Sequence, residues 1–319
     1  MSGSNDHIGK PARRYGNVTI GEAVARLREG GLVAVPTETV YGLAADSTNA
    51  AAVAEIYRTK GRPDFNPLIV HVPDLDAGRA LGQFCDLATL FATALWPGPL
   101  TLVVPKADSC PATAAVTAGL ETIALRCPAH PVMRELLSKS GLFLAAPSAN
   151  RSGGISPTTA DHVALSLGET APLILDGGPC ETGIESTIIA VRDGNYRILR
   201  PGPVTQAQLE AIAGKTPIAN ESGKIEAPGQ LASHYAPSKP LRLNALTAEK
   251  DEFHIGFGPV EGDRNLSSNA DLAEAASLLF AALHDADASG KARIAIAPIP
   301  EDNIGAALND RLSRAAVAR

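Results

Sequence analysis

Several polar segments of this chain carry side chains able to grip a charged or hydroxylated ligand, and most of them sit beside an apolar run. In Pro36-Thr37-Glu38-Thr39-Val40-Tyr41-Gly42-Leu43, hydroxyls and a carboxylate follow Leu32-Val33-Ala34-Val35. Open α/β sheets place ligands at such strand ends, although a turn with ordinary threonine capping explains the same residues equally well. Arg58, Lys60, Arg62 and Asn66 gather around Lys60-Gly61-Arg62-Pro63, the end of an expected helix. Cations there complement the helix dipole for structural reasons alone. A rigid turn feeding a buried strand would nevertheless aim Lys60 and Arg62 at one point, and a point charge beside a planar fork suits phosphate oxygens. Ser148-Ala149-Asn150 leads into Gly153-Gly154 and Ser156-Pro157. Glycine-rich turns ahead of helix N-termini favour anions, but this is neither a Walker loop nor a dinucleotide fingerprint. Thr122 and Arg126 mark the two ends of one apolar run, Glu185-Ser186-Thr187 follows a glycine-rich loop, and Arg200 lies in Leu199-Arg200-Pro201-Gly202. By default each is a surface salt bridge or a cap. His71 reads equally as a core histidine bonded to backbone.

The elements that must hold these residues alternate between helical and extended periodicity. Apolar spacing predicts helices over Ile20–Arg28, Ala50–Thr59 (capped by Asn49 or Thr48), Leu87–Leu95 and Pro131–Ser138, with another opened by Ser156-Pro157. Short apolar runs predict strands at 32–35, 67–72, 100–104, 122–126, 142–146 and 173–176. Ile188–Val191 and Tyr196–Leu199 flank Asp193-Gly194-Asn195, a hairpin signal. The fold class is therefore α/β, with a mixed twisted sheet. Residues 1–16 read as a loose tail, 17–213 as the main domain and 214–239, rich in Pro, Gly, Ser and Lys, as a linker. In 240–319, strands at 241–243, 254–257 and 293–297 alternate with helices at 271–284 and 305–317, which predicts a smaller open-sheet, Rossmann-like domain.

Composition narrows the function. Apolar residues make up 45% and charged residues 19%, enough for a sizeable core. With aromatics at 4%, that core must be aliphatic. A net charge of -6 argues against a protein that coats nucleic acid. Cys85, Cys110, Cys127 and Cys180 show no zinc or redox spacing and read as reduced thiols of a cytoplasmic protein. No secretory signal or membrane-length apolar run is present, so no membrane partner is expected.

Lys60-Gly61-Arg62 with Ser148-Ala149-Asn150 resembles the paired KxR and SxN signature of the YrdC-like family. Pro36 to Leu43, Asn66 to His71, Trp96-Pro97-Gly98-Pro99-Leu100-Thr101, Ser186-Thr187-Ile188 and Arg200-Pro201-Gly202 are similar to its other blocks, in order, over roughly residues 20–205. Ala227-Pro228-Gly229, His234-Tyr235-Ala236-Pro237, Ala297 to Pro300 and Asn309 to Leu312 resemble the longer, two-domain synthases. One stretch departs: the family's linker is often basic before His-Tyr-Ala-Pro, and here it reads Gln230-Leu231-Ala232-Ser233.

The resemblance implies a nucleotidyltransferase that makes threonylcarbamoyl-AMP and pyrophosphate from L-threonine, bicarbonate or CO2, and ATP. The product would serve N6-threonylcarbamoyladenosine formation at position 37 of tRNA, through a downstream transferase machinery. By matching position, Thr39, His71, Arg126, Ala146 (through its backbone) and Ser186 would hold threonine. Lys60, Arg62, Asn66, Thr122, Ser148, Asn150, Ser156, Arg200 and Tyr235 would hold ATP, with Lys60, Arg62, Ser148 and Asn150 the catalytic set. Mg2+ would arrive with ATP rather than on protein ligands, and no organic cofactor is implied. The alternative is an RNA-binding module of the same fold without adenylate-forming activity. A carbamoyl-adenylate enzyme of hydrogenase maturation would add an acylphosphatase part and zinc fingers, which this sequence lacks.

Overall fold

Thr19 opens the first helix through a capping box: its hydroxyl accepts from the Glu22 N–H at 3.2 Å while the Glu22 carboxylate accepts from the Thr19 N–H at 2.8 Å. The computed structural model describes residues 18–220, 226–228 and 234–317; the expected tail and the non-basic stretch Gln230–Ser233 lie outside them. The chain forms α1 (Ile20–Arg28), β1 (Val33–Val35), β2 (Gly42–Asp46), α2 (Ala50–Lys60), β3 (Ile69–His71), α3 (Leu75–Arg79), α4 (Asp86–Leu95) and β4 (Leu100–Pro105). Next come α5 (Ala114–Thr117), β5 (Thr122–Arg126), α6 (Pro131–Ser140), β6 (Leu144–Ala145), α7 (Ala160–Leu167), β7 (Leu173–Ile174), β8 (Thr187–Arg192), β9 (Asn195–Arg200) and α8 (Gln206–Ala213). A second series follows: β10 (Leu241–Arg242), β11 (Glu252–Gly256), β12 (Arg264–Asn265), α9 (Leu272–Ala288), β13 (Arg293–Ile296) and α10 (Gly305–Ala315).

Nine strands pair in the order β7-β1-β2-β6-β3-β5-β4-β8-β9, with parallel and antiparallel neighbours mixed. The expected hairpin is present: Arg192 pairs with Asn195 across Asp193-Gly194, whose φ values of 51° and 70° are those a two-residue primed turn requires. Helix α2 is capped by Asn49, whose side chain accepts from the Ala51 and Ala52 N–H groups, and ends at Gly61 in the left-handed region. The second sheet, β10-β13-β11-β12, is parallel throughout.

Two sequence expectations are corrected. Ser156-Pro157 does not open a helix. That segment is not helical: the Pro157 carbonyl accepts from Tyr41 N–H and the Thr158 carbonyl from Cys180 N–H, and α7 starts three residues later under a Thr159 cap. Strand β2 was not predicted, since Gly-Leu-Ala-Ala-Asp has no β-branched residue; pairing with β1 and β6 makes it a strand.

Side-chain alternation decides where a site can lie. One face of the large sheet is buried under α2, α4, α7 and α8 through Ile56, Phe91, Val163 and Leu209. On the other face, α1 and α6 cover the β7-β1-β2-β6 half through Leu27, Leu136 and Leu137. The remaining half carries a small apolar patch, Ile69, Val103, Ala124, Ile188, Ala190 and Leu199, covered by Ala227 and, among the described residues, by no helix. The register His71↔Arg126 and Ile69↔Ala124 sets these pairs side by side, and the two-residue period puts Thr122, Ala124 and Arg126 on that same helix-free face.

Candidate active site

A cavity of ≈ 50 Å³ opens at one end of this face, walled by the 37–42 loop, β3, the end of β5, the 146–148 and 185–186 turns, Arg200 and the His234-Tyr235 pair. Arg126, buried at the end of β5, donates from Nη2 to Glu38 Oε1 at 2.6 Å and from Nη1 to Thr39 Oγ1 at 2.8 Å. Burial works to raise the pKa of Glu38, but the Arg126 guanidinium and the Ala129 N–H hold it below the usual carboxylate range. His71 stands beside Arg126 in the sheet. Burial, and then the charge of Arg126, push its pKa down to about 3, so the ring is neutral at working pH. Its Nδ1 has no hydrogen-bond partner among the described residues.

Across the cavity the cations turn toward backbone oxygens. Lys60 Nζ donates to Ser148 O and Asn150 O, each at 2.5 Å. Arg62 donates to Asn66 O and Pro67 O, and Arg200 to Ser186 O at 2.8 Å and to Ser186 Oγ at 3.2 Å. All three are at least nine-tenths buried, and among the described residues none of them forms an ion pair. Burial lowers the pKa of each; Lys60 falls well below the ordinary lysine value, with Arg62 adding to the effect. Three clustered cations, none of them ion-paired with a carboxylate among the described residues, favour a polyanionic ligand, which would return the missing charge.

The residues expected from sequence fall into three groups. Thr39, Arg62, His71, Arg126, Ala146, Ser148, Ser186, Arg200 and Tyr235 line the cavity itself. The Ala146 N–H is already bonded to Ile69 O at 3.0 Å, so the backbone group it can lend is its carbonyl. Lys60, Asn66, Asn150 and Ser156 stand one layer behind. Lys60 and Asn150 support Ser148, whose hydroxyl donates to Asn150 Oδ1 at 2.6 Å; Asn66 lies behind Arg62; Ser156 donates to the lining carboxylate Glu185. Both polar side-chain atoms of Asn66 are buried without partners. Thr122 is not in the chamber: it lines a separate groove together with Arg197 and Glu226.

Sequence reasoning counted Glu38 only as one polar group of its segment, and gave no individual role to Glu185 or Arg311. The two glutamates lay inside segments singled out for their polarity, but their partners, Arg126 and Arg311, are 88 and 126 residues away in the chain. Nothing local announces such pairs.

Two family patterns match the chain: one described as Telomere recombination over residues 25–202, and the threonylcarbamoyl-AMP synthase C-terminal domain over residues 204–317. The threonylcarbamoyl-AMP synthase of Bacillus subtilis is 38% identical over 94% of this chain and 93% of its own length. That of Schizosaccharomyces pombe is 34% identical over 89% and 84%. The crystal structure of Pyrococcus abyssi Sua5 complexed with L-threonine superposes with a TM-score of 0.86 at 35% identity, covering 93% of this chain and 94% of that one. The chain belongs to the threonylcarbamoyl-AMP synthase family. As a member of that family it is an enzyme of the nucleotidyltransferase type. The membership accounts for both sheets at once, since the match to the Pyrococcus protein extends through the second domain.

Proposed function

We propose that this chamber binds L-threonine beside ATP, and that the chain makes threonylcarbamoyl-AMP for N6-threonylcarbamoyladenosine formation at position 37 of tRNA. The observation that carries the reading is the trio Lys60, Arg62 and Arg200, buried together and paired with no carboxylate among the described residues. The threonine amine captures bicarbonate or CO2 as a carbamate. A carbamate oxygen attacks the α-phosphate of ATP, a P–O bond forms, and the bond to pyrophosphate breaks.

Arg126, Thr39, His71, Ser186 and the Ala146 carbonyl would hold threonine, with the Arg126 hydrogens not donated to Glu38, Thr39 and Gly98 left for its carboxylate. A neutral His71 can exchange hydrogen bonds with the amine or hydroxyl without adding charge. Arg62, Ser148 and Arg200 would face the triphosphate, with Lys60, Asn66, Asn150 and Ser156 supporting them from one layer behind. Such a site works by alignment and by stabilising phosphate charge, and needs no protein nucleophile. Mg2+ would come with ATP and supply charge neutralisation at the phosphates. The chamber's own carboxylates, Glu38 and Glu185, are engaged by Arg126 and Arg311, which fits a metal carried on phosphate and water.

Among the described residues no helix is long and apolar enough to cross a membrane. The four free cysteines support a reducing, cytoplasmic setting. The reading is tested by pyrophosphate release: turnover should require threonine and bicarbonate together. Tight RNA binding without that turnover would carry the binding-module reading instead.

A further inference from the structure

One carboxylate of the chamber wall is held from the second domain. Glu185 accepts the Ser156 hydroxyl on Oε1 and Arg311 Nε on Oε2, the latter at 2.8 Å. Arg311 lies on α10, and its side chain is wholly buried. Its Nη2 reaches the Glu185 carbonyl at 3.4 Å, its Nη1 reaches Asp310 at 2.7 Å, and its guanidinium carbon lies 5.2 Å from the centre of the Tyr235 ring. Asp310 is held in turn by Arg314. A single side chain therefore touches both a wall carboxylate and the aromatic ring that closes the cavity.

We propose that Arg311 is a positioning residue for the nucleotide half of the chamber. This rests on the adenylate-forming reading given above. A polyanion must enter a space walled by Glu185, and an unpaired carboxylate there would repel it. Arg311 cancels that charge locally and leaves Lys60, Arg62 and Arg200 free for the phosphates. Its fork also fixes the carboxylate rotamer, and with it the Ser156 hydroxyl, while its face sets the Tyr235 ring. Removing one partner of a buried pair costs far more than the pair contributes, because the other charge is left alone. The loss should therefore be borne by ATP and not by threonine, whose expected contacts do not include Glu185.

The test is steady-state kinetics on the full chain and on Arg311→Met, Arg311→Lys and the double variant Glu185→Gln/Arg311→Met, each checked for folding by circular dichroism. Arg311→Met should raise the KM for ATP about tenfold or more while the KM for threonine stays within about twofold. Arg311→Lys, which keeps the charge but not the fork, should fall between. The double variant should recover a substantial part of the lost ATP affinity, an outcome that mere loss of packing cannot give. If Arg311→Met fails to fold, Arg311→Lys against the double variant makes the same comparison. Unchanged ATP kinetics, or a defect that Glu185→Gln does not relieve, overturns the inference. A wild-type chain without threonine- and bicarbonate-dependent turnover overturns the underlying reading, and this inference with it.

Discussion

Lys60 presents its ammonium to three oxygens, those of Ser148 O, Asn150 O and Asn150 Oδ1, none of which carries a full charge. In the proposed reading it serves phosphate together with Arg62 and Arg200. Lys60→Ala or Arg62→Ala should abolish adenylate formation, with a loss of about a hundredfold or more if each supplies one preorganised charge contact. The folded state should survive, as read by circular dichroism alongside pyrophosphate release; unchanged turnover in both variants would refute the assignment. His71 gives a second prediction. Its pKa drops from an ordinary 6.5 to about 3 in the fold, so between those values the unfolded chain holds a proton that the folded chain does not. Its contribution to stability is complete above pH 6.5 and is lost as pH falls toward 3, by up to about 1.4 kcal/mol per pH unit. His71→Asn should flatten the pH dependence of urea-melting free energies across that window, and an unaltered slope would show that the ring is not held neutral. The separate polar segments were legible in the sequence because each follows a strand or ends a helix. The Arg126–Glu38 and Arg311–Glu185 pairs were not, since only the fold brings their members together.

Elements with strong local signals came through from sequence to structure. Helix α1 matches its expected span, and α2 matches to within a residue with Asn49 as cap and Gly61 as stop; β5 runs from Thr122 to Arg126 as expected. Elements made by tertiary pairing did not. β2 owes its extended form to β1 and β6, and the Ser156 segment is drawn out of helix by bonds to Tyr41 and Cys180. A third prediction belongs at this scale. Gly183 has φ +75°, and a Cβ there would stand 2.5 Å from the Ala276 carbonyl and Ser277 Cα of α9. Gly183→Ala must therefore push the 183–186 loop and α9 apart, at a cost of roughly 1–3 kcal/mol. Thermal melting should show the loss, and pyrophosphate release should fall with it because Glu185 and Ser186 lie on the same loop. Wild-type melting would mean that the loop does not dock against α9.

At the scale of the whole molecule, the second domain is part of the chamber's support. Val40, Ile155 and Ile184 from the first domain join a core otherwise built from Phe280, Leu279, Ile294 and their neighbours, and Tyr235 packs 5.7 Å from Phe280. Leu209 of α8 packs with the first core. Deleting 240–319 should lower activity and expose this apolar face, measured as reduced pyrophosphate release and increased dye binding; a truncated chain with full activity would show that α9 and α10 do not support the site. The alternation of strand and helix made the second domain legible in sequence, but its reach into the chamber through Arg311 was not. The central claim is that one chamber holds threonine and ATP and joins them through a carbamate. Mass spectrometry of the product from 13C-bicarbonate, L-threonine and ATP tests it most directly. The account predicts a threonylcarbamoyl-AMP adduct carrying one labelled carbon and formed only when all three are present. An unlabelled adduct, or AMP with no threonine attached, would contradict it.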